Sequence, residues 1–539
     1  MNPHLRLMKN RFLIVSFFLF TILLFYKNNQ IVLWEQDESA YAGFAHTMLK
    51  TGNWITPDFE WSEPHRKTPF HFWMIACAYQ LFGENEFATR LPSCLCIIGT
   101  VLSIFFLGRR LFSEAIAKWS AIVLMLSILP LVFAKIALTD AALLFCTTLS
   151  YFLLHLYLKT NRIHYLIKLL IIVSIGLLVK GPPILITVGG TILLKFIFDH
   201  EKLRSLKIGC LLFLTFIPLL IWGRVAWIAD DGVFIQWLLD WYIFKRTSGS
   251  VFGQTGPFGY YFGVFAFNFI LLLPYFFKSV FDIFAHYFKK SDNSIEKDFH
   301  RINFYWILCG WIFYECLPSK LPAYALAALP VLALSIGKMI AERKPLPIFL
   351  NSLSSVIQIG AGITVILLKK QLPFVELLPA SRLLASIFIL IGIYNLLQIK
   401  LLQIQIYQNI FFITMSLALN ATIWLLVVSA LEPHRQLSMT VVQKIILEAK
   451  QLNVAPHVIF DFNYALPSIP VYLSRASIAY STLSDFEKSF NNPKYRIFIT
   501  DEDNAPIWKN STIPIDTQTI TGWRTDRGNF KTFYLVSKR

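Results

Sequence analysis

Asp37-Glu38-Ser39-Ala40-Tyr41-Ala42 is a short polar stretch set between oily ones, and His65-Arg66-Lys67-Thr68-Pro69 follows about thirty residues later. An acidic pair and then a basic cluster come directly after the first apolar segment, 12–33. Charges so close to hydrocarbon are costly unless they line an aqueous site. The placement predicts a catalytic or ligand-binding loop, 34–84, at a membrane surface.

The surroundings of that loop define the fold class. The chain has 539 residues, 56% hydrophobic and 15% charged, with a mean hydropathy of +0.56. A soluble protein would carry roughly 25% charged residues. Apolar stretches recur near 12–33, 85–107, 115–136, 141–158, 164–180, 183–198, 208–227, 259–284, 303–317, 323–340, 346–368, 383–399 and 407–430. By the length rule these are about thirteen spans, so the region 1–431 is predicted to be an all-α membrane domain. A large soluble enzyme with an oversized core is excluded by this recurrence.

The net charge is +17, but the positive residues form no single patch of the kind that binds nucleic acid. They sit in short loops between apolar stretches: Arg109/Arg110/Lys118, Lys159/Arg162, Lys202/Arg204/Lys207, Lys289/Lys290/Lys297/Arg301 and Lys338/Arg343/Lys344. Cytoplasmic loops carry this bias. Placing them and the N-terminus in the cytoplasm puts 37–70, 139–140, 180–183, 230–257 and 318–322 on one external face, with the C-terminus outside. Arg6, Lys9 and Arg11 precede an apolar run at 12–26, but no small-x-small cleavage site follows, so the run is expected to remain as a first span. The seven cysteines all lie in or beside apolar stretches and are read as small hydrophobes, not disulfide or metal partners.

After residue 431 the oily spans stop, and 432–539 reads as a small α/β domain on the external, periplasmic side. Apolar residues at helical spacing predict a helix at 439–452. Strands are expected at 457–462, 495–500 and 530–536, with turns at Asn491-Asn492-Pro493 and Asp526-Arg527-Gly528.

The stretch DESAYAGFAHTMLKTGNWITPDFEWSEPHRKTPFHFWMIACAYQLFGENEFATRLPS, from Asp37, resembles the first external loop of the lipid-linked-sugar glycosyltransferases of the membrane GT-C fold. These are the aminoarabinose transferase and protein O-mannosyltransferase relatives. ALTDAALLF around Asp140, LLVKGPP ending at Pro183 and LPSKLPAYALAALP at 317–330 follow in the family's order. NYALPSIPVYLSR at 463–475 is similar to part of the C-terminal domain. The resemblance implies a bacterial inner-membrane enzyme. It would move a sugar, with inversion, from a polyprenyl-phosphate donor to an acceptor at the periplasmic face. Lipid A saccharide is the implied acceptor; a protein hydroxyl or another envelope glycan is the alternative.

Glycosyl transfer to a hydroxyl needs a base as an oxocarbenium-like centre forms. Asp37 matches the family's catalytic aspartate; read by itself, it is equally suited to cap the helix that follows. Glu38 completes the acidic pair, as either a catalytic or a structural carboxylate. Asp140 matches a second acidic residue that places acceptor or sugar, again with capping as the alternative. The anionic leaving group needs cations. Lys67 matches the lysine that contacts the donor phosphate, with an interfacial snorkelling lysine as the alternative, and Arg246 resembles an arginine with the same role, suited to phosphate by its planar fork. Tyr324 matches the tyrosine after the S-K-L-P motif, and Lys320 stands one turn earlier as a further phosphate ligand. Lys180 with Gly181-Pro182-Pro183 ends a helix and marks a tight turn.

Aminoarabinose transferases place an acidic metal ligand just before the lysine, where this chain has Arg66. No histidine matches near 240–246. The ligands that the resemblance implies for a divalent metal are therefore not matched; no cofactor is assigned, and a divalent metal stays open. A flippase or transporter is the competing class; it would show inverted repeats and midplane charges, and this chain shows neither.

Overall fold

The structure is a computed structural model that describes all residues except 1–2, 57, 60–65, 200–201, 242–254, 289–293, 399–404, 462–465, 484, 503–504 and 525–528. Arg246 and the expected turn at 526–528 lie outside the described residues. The chain divides into two compact units. One contains Met1–Tyr26, Lys67–His71 and Leu91–Val427; the other contains Lys27–Arg66, Phe72–Arg90 and Val428–Arg539.

The first unit is helical. Along the described chain, eight helices are long and apolar enough to cross a membrane, among them Glu86–Leu111, Thr139–Thr160, Ile163–Lys180 and Lys202–Ala229. Glu114–Leu126 and Ile128–Ala134 make a ninth if a pair bent by 63° is one span. Leu13–Phe25, Phe70–Phe82 and Pro183–Phe198 are shorter apolar helices. The chain is thus a multi-pass membrane protein. The stretches 303–317 and 323–340 are helical but broken. The first joins a helix Ser294–Ile307 to a π turn Leu308–Ile312 and then Phe313–Glu315. The second starts as a 3₁₀ turn Leu326–Ala328 before the helix Leu329–Glu342.

In the second unit the helix Asp37–Thr51 starts with Asp37 and Glu38 in its first turn and stops at Gly52, whose φ of 73° is the left-handed cap conformation. Its inner face buries Tyr41, Phe44, Ala45 and Met48. Phe44 packs against Phe59 and Phe72, with ring centroids 6.0 and 4.9 Å away. Gly43 is needed there: a Cβ would lie 2.5 Å from the Phe59 ring.

The C-terminal part holds a five-stranded sheet of β1 (His457–Asp461), β2 (Ala479–Thr482), β3 (Ile497–Asp501), β4 (Ile515–Arg524) and β5 (Asn529–Lys538). The order is β2-β1-β3-β5-β4, parallel from β2 to β3 and antiparallel beyond. Ile459, Phe498, Val536, Phe486, Phe490 and Trp508 form its core on one face. The expected helix is present as Leu437–Gln451. The three expected strands are β1, β3 and β5, the inner ones. The two that the sequence reading lacked, β2 and β4, are the sheet edges, where one side is unpaired and the apolar signal is weaker.

Candidate active site

Of the residues marked by the sequence, Lys67, Asp140, Lys180, Lys320 and Tyr324 belong to the helical unit, and Asp37 and Glu38 to the other. In the helical unit, Asp140 lies in the first turn of Thr139–Thr160 and Lys180 in the last turn of Ile163–Lys180. Each helix end stabilises the charge it carries. The Lys180 Nζ donates to Asp140 Oδ1 at 2.5 Å, with both side chains largely buried, 15% and 7% exposed. Asp140 therefore forms an interhelical ion pair. Gly181 has φ 74°, a left-handed turn, and Pro183 occupies the first position of the next helix, Pro183–Phe198. This is why LLVKGPP aims its lysine back at Asp140.

Beside the pair, the Lys180 Nζ sits 5.7 Å from the Tyr324 ring centre, and Tyr324 lies 6.1 Å from the Tyr314 ring. Asp140, Thr147, Pro183, Thr187, Tyr314 and Tyr324 line part of one cavity of about 250 Å³ that includes open solvent. His71, fully buried, faces the same charges: burial pushes its imidazole down to about 4, against a hydrogen bond with the Ala137 backbone and attraction from Asp140, and with repulsion from Lys180. It begins the helix Phe70–Phe82, which at about 20 Å is too short to cross a 30 Å core. Lys67, four residues earlier, is buried at 9% exposure, so it is not a lysine splayed into water.

Lys320 is buried, and its ammonium donates to the Tyr314 carbonyl at 3.0 Å and to the Glu315 carbonyl, with the Glu315 carboxylate 3.9 Å away. These bonds tie the S-K-L-P motif to the preceding helix. Glu315 in turn accepts from the backbone N–H of Gly259, Tyr261 and Phe262 at 3.0, 2.9 and 3.1 Å, closing the N-terminus of Tyr260–Asn268. Thr255 bridges to Ser319. Segments 139–140, 180–183, 255–262 and 314–324 are therefore gathered in this unit.

In the other unit, Asp37 is the first helical residue and is exposed. The cap position belongs to Gln36, whose φ of 67° is a strained left-handed value and whose side chain makes no cap bond. Glu38 is 1% exposed and meets Arg90, also 1% exposed, through two bonds: Nε to Oε1 at 2.9 Å and Nη2 to Oε2 at 2.8 Å. Glu38 is buried in an ion pair. Arg66 donates to Asp58 at 2.8 Å. Among the described residues no three His, Cys, Asp or Glu side chains converge to hold a metal ion. A guanidinium, Arg66, stands where the resemblance implies an acidic metal ligand.

Arg90, His71 and Glu315 went unassigned in the sequence. Each carries a signal that could have found it, an ionisable side chain within an apolar stretch.

The fold is that of the membrane GT-C glycosyltransferases. It matches ArnT from Cupriavidus metallidurans bound to undecaprenyl phosphate with a TM-score of 0.72, covering 97% of this chain and 98% of that one at 14% identity. Within that class the chain resembles the aminoarabinose transferases and the protein mannosyltransferases. Residues 66–222 match the family described as dolichyl-phosphate-mannose-protein mannosyltransferase. The undecaprenyl phosphate-α-4-amino-4-deoxy-L-arabinose arabinosyl transferase 1 of Pseudomonas fluorescens is 26% identical over 338 residues, covering 58% of this chain and 56% of the relative. A protein of Aquifex aeolicus is 25% identical over 316 residues, covering 58% and 60%. The chain thus spans 56 to 60% of the length of these curated relatives.

Proposed function

We propose that the protein is an inverting glycosyltransferase that moves a sugar from a polyprenyl-phosphate donor to an envelope acceptor, the lipid A saccharide. The observation that carries this reading is Asp140, paired with Lys180, lining one cavity together with Tyr324. The donor class is supported by the arabinosyl transferase relatives, which are named for an undecaprenyl phosphate donor. Basic loops support an inner-membrane orientation with the N-terminus in the cytoplasm and the C-terminus in the periplasm.

In this reading the acceptor hydroxyl oxygen attacks the anomeric carbon while Asp37 takes its proton. The bond from that carbon to the phosphate oxygen breaks, and its electron pair leaves with the polyprenyl phosphate. Lys67 and Arg246 hold that phosphate, and fixed positive charge there stabilises the transition state most where water is excluded. Tyr324 lines a cavity with Asp140, which Lys180 pairs, and Lys320 holds the S-K-L-P motif through the Tyr314 and Glu315 carbonyls.

Purified protein given labelled polyprenyl-phosphate sugar and lipid A should transfer label to the glycolipid. Label moved to a protein hydroxyl instead would favour the O-glycosyltransferase reading. Translocation of intact donor without bond cleavage would establish a flippase.

A further inference from the structure

Residues 31–36, which end at Asp37, form neither helix nor strand. Their backbone groups need partners from elsewhere, and side chains supply them one residue at a time. Arg90 Nη1 donates to the carbonyls of Asn28 and Ile31 at 2.8 and 2.7 Å, and its Nη2 to that of Val32 at 3.1 Å. The Val32 N–H donates to Glu432 at 2.6 Å, and Arg435 donates to the Val32 carbonyl at 3.3 Å. The Leu33 N–H donates to the Tyr472 hydroxyl at 2.9 Å. The Trp34 N–H donates to Glu38 at 2.8 Å, and the Arg435 guanidinium lies 3.6 Å over the Trp34 ring. Glu35 accepts from Ser438 at 2.7 Å and from Ser468.

The next residue is Gln36, with φ 67° and ψ −107°. A non-glycine residue holds such a conformation only where its surroundings over-determine it. The strained residue directly precedes an exposed carboxylate. Glu38, directly after it, spends both oxygens on Arg90 and Trp34 and is too buried to meet a substrate.

We propose that Arg90, Glu38 and Tyr472 are positioning residues for Asp37: with Glu432 and Arg435 they fix the strap at 28–36 so that the carboxylate is held in its working orientation. The C-terminal segment then serves catalysis without touching the sugar. This rests on Asp37 being the base, as proposed above. A misplacement of about 1 Å at a reacting group can cost on the order of 100-fold in rate, so a loosened strap should lower turnover without weakening donor binding.

The test uses the full-length protein, labelled polyprenyl-phosphate sugar and its acceptor. Tyr472→Phe removes one hydroxyl, which accepts from Leu33 and also bonds Glu86, and keeps the ring, so it should fold even if Arg90→Lys or Glu38→Gln does not. On the wild-type background Tyr472→Phe should lower kcat roughly 10-fold or more, with donor KM within about twofold. In an Asp37→Asn protein the same change should cost nothing further, because there is no base left to misplace. Amide hydrogen exchange at 36–38 should quicken in Tyr472→Phe alone, a readout that needs no activity. An equal loss on both backgrounds, a loss confined to donor KM, or unchanged kcat and exchange overturns the proposal. A wild-type protein that transfers no sugar while exchange at 36–38 still quickens overturns the function reading instead.

Discussion

Lys180 and Asp140 close an ion pair at 2.5 Å between the end of one apolar helix and the start of another. Removing one partner of such a buried pair leaves an uncompensated charge, at about 3–5 kcal/mol. Lys180→Met is therefore expected to melt well below wild type. Asp140→Asn/Lys180→Met should regain most of that stability, because a neutral replacement of a buried pair is often tolerated, and should still transfer no sugar. Thermal melting in detergent beside a transfer assay checks this. An active double variant would make the pair purely architectural.

Asp37→Asn is expected to lower transfer by roughly 10²–10⁴-fold, the range for a positioned base. Because Asp37 is exposed and the cap position belongs to Gln36, its cost in stability should be small, about 0.5 kcal/mol or less. Turnover and melting temperature measured on one preparation decide between base and helix-end roles. Near-normal turnover with a lowered melting point would assign Asp37 to the helix.

Lys67→Ala should weaken donor binding and slow transfer together, since a phosphate ligand acts in both the ground and the transition state. Lys67→Arg should recover only part, because a planar fork does not replace a point charge. Arg246→Ala is expected to act in the same direction. Donor affinity measured alongside turnover is the check. Unchanged affinity in Lys67→Ala would move the donor site towards Tyr324.

His71 gives a pH signature. Its folded pKa of about 4 lies below the ordinary 6.5, so between those values the unfolded chain binds more protons than the folded one. Stability from this residue is intact above about 6.5 and is lost as pH falls to about 4, by up to about 3 kcal/mol. His71→Gln keeps a donor but does not titrate, and should flatten melting temperature against pH over that window. An unchanged slope would show that other groups carry the acid sensitivity.

Much of the fold could be read in the chain order of residues. The apolar stretches at 85–107, 141–158 and 164–180 coincide with helices found at Glu86–Leu111, Thr139–Thr160 and Ile163–Lys180 to within a residue or a few, because burying a backbone in hydrocarbon leaves the helix as the local solution. The inner strands were equally legible, because β3 is buried along its whole length. The edge strands were not, since half of their backbone has no strand partner to demand an apolar sequence. Asp37, Lys67, Asp140 and Tyr324 were singled out by motif.

Local sequence could not decide which charge meets which. Asp140 and Lys180 are 40 residues apart, Glu38 and Arg90 are 52 apart, and Leu33 and Tyr472 are 439 apart. Periodicity says which face of a helix is oily, but the partner of a buried ion follows from how helices pack. For that reason the sequence marked Glu38 and Asp37 as one acidic pair, while the tertiary structure separated them, burying the first against Arg90 and leaving the second exposed at the helix start, next to the strained Gln36.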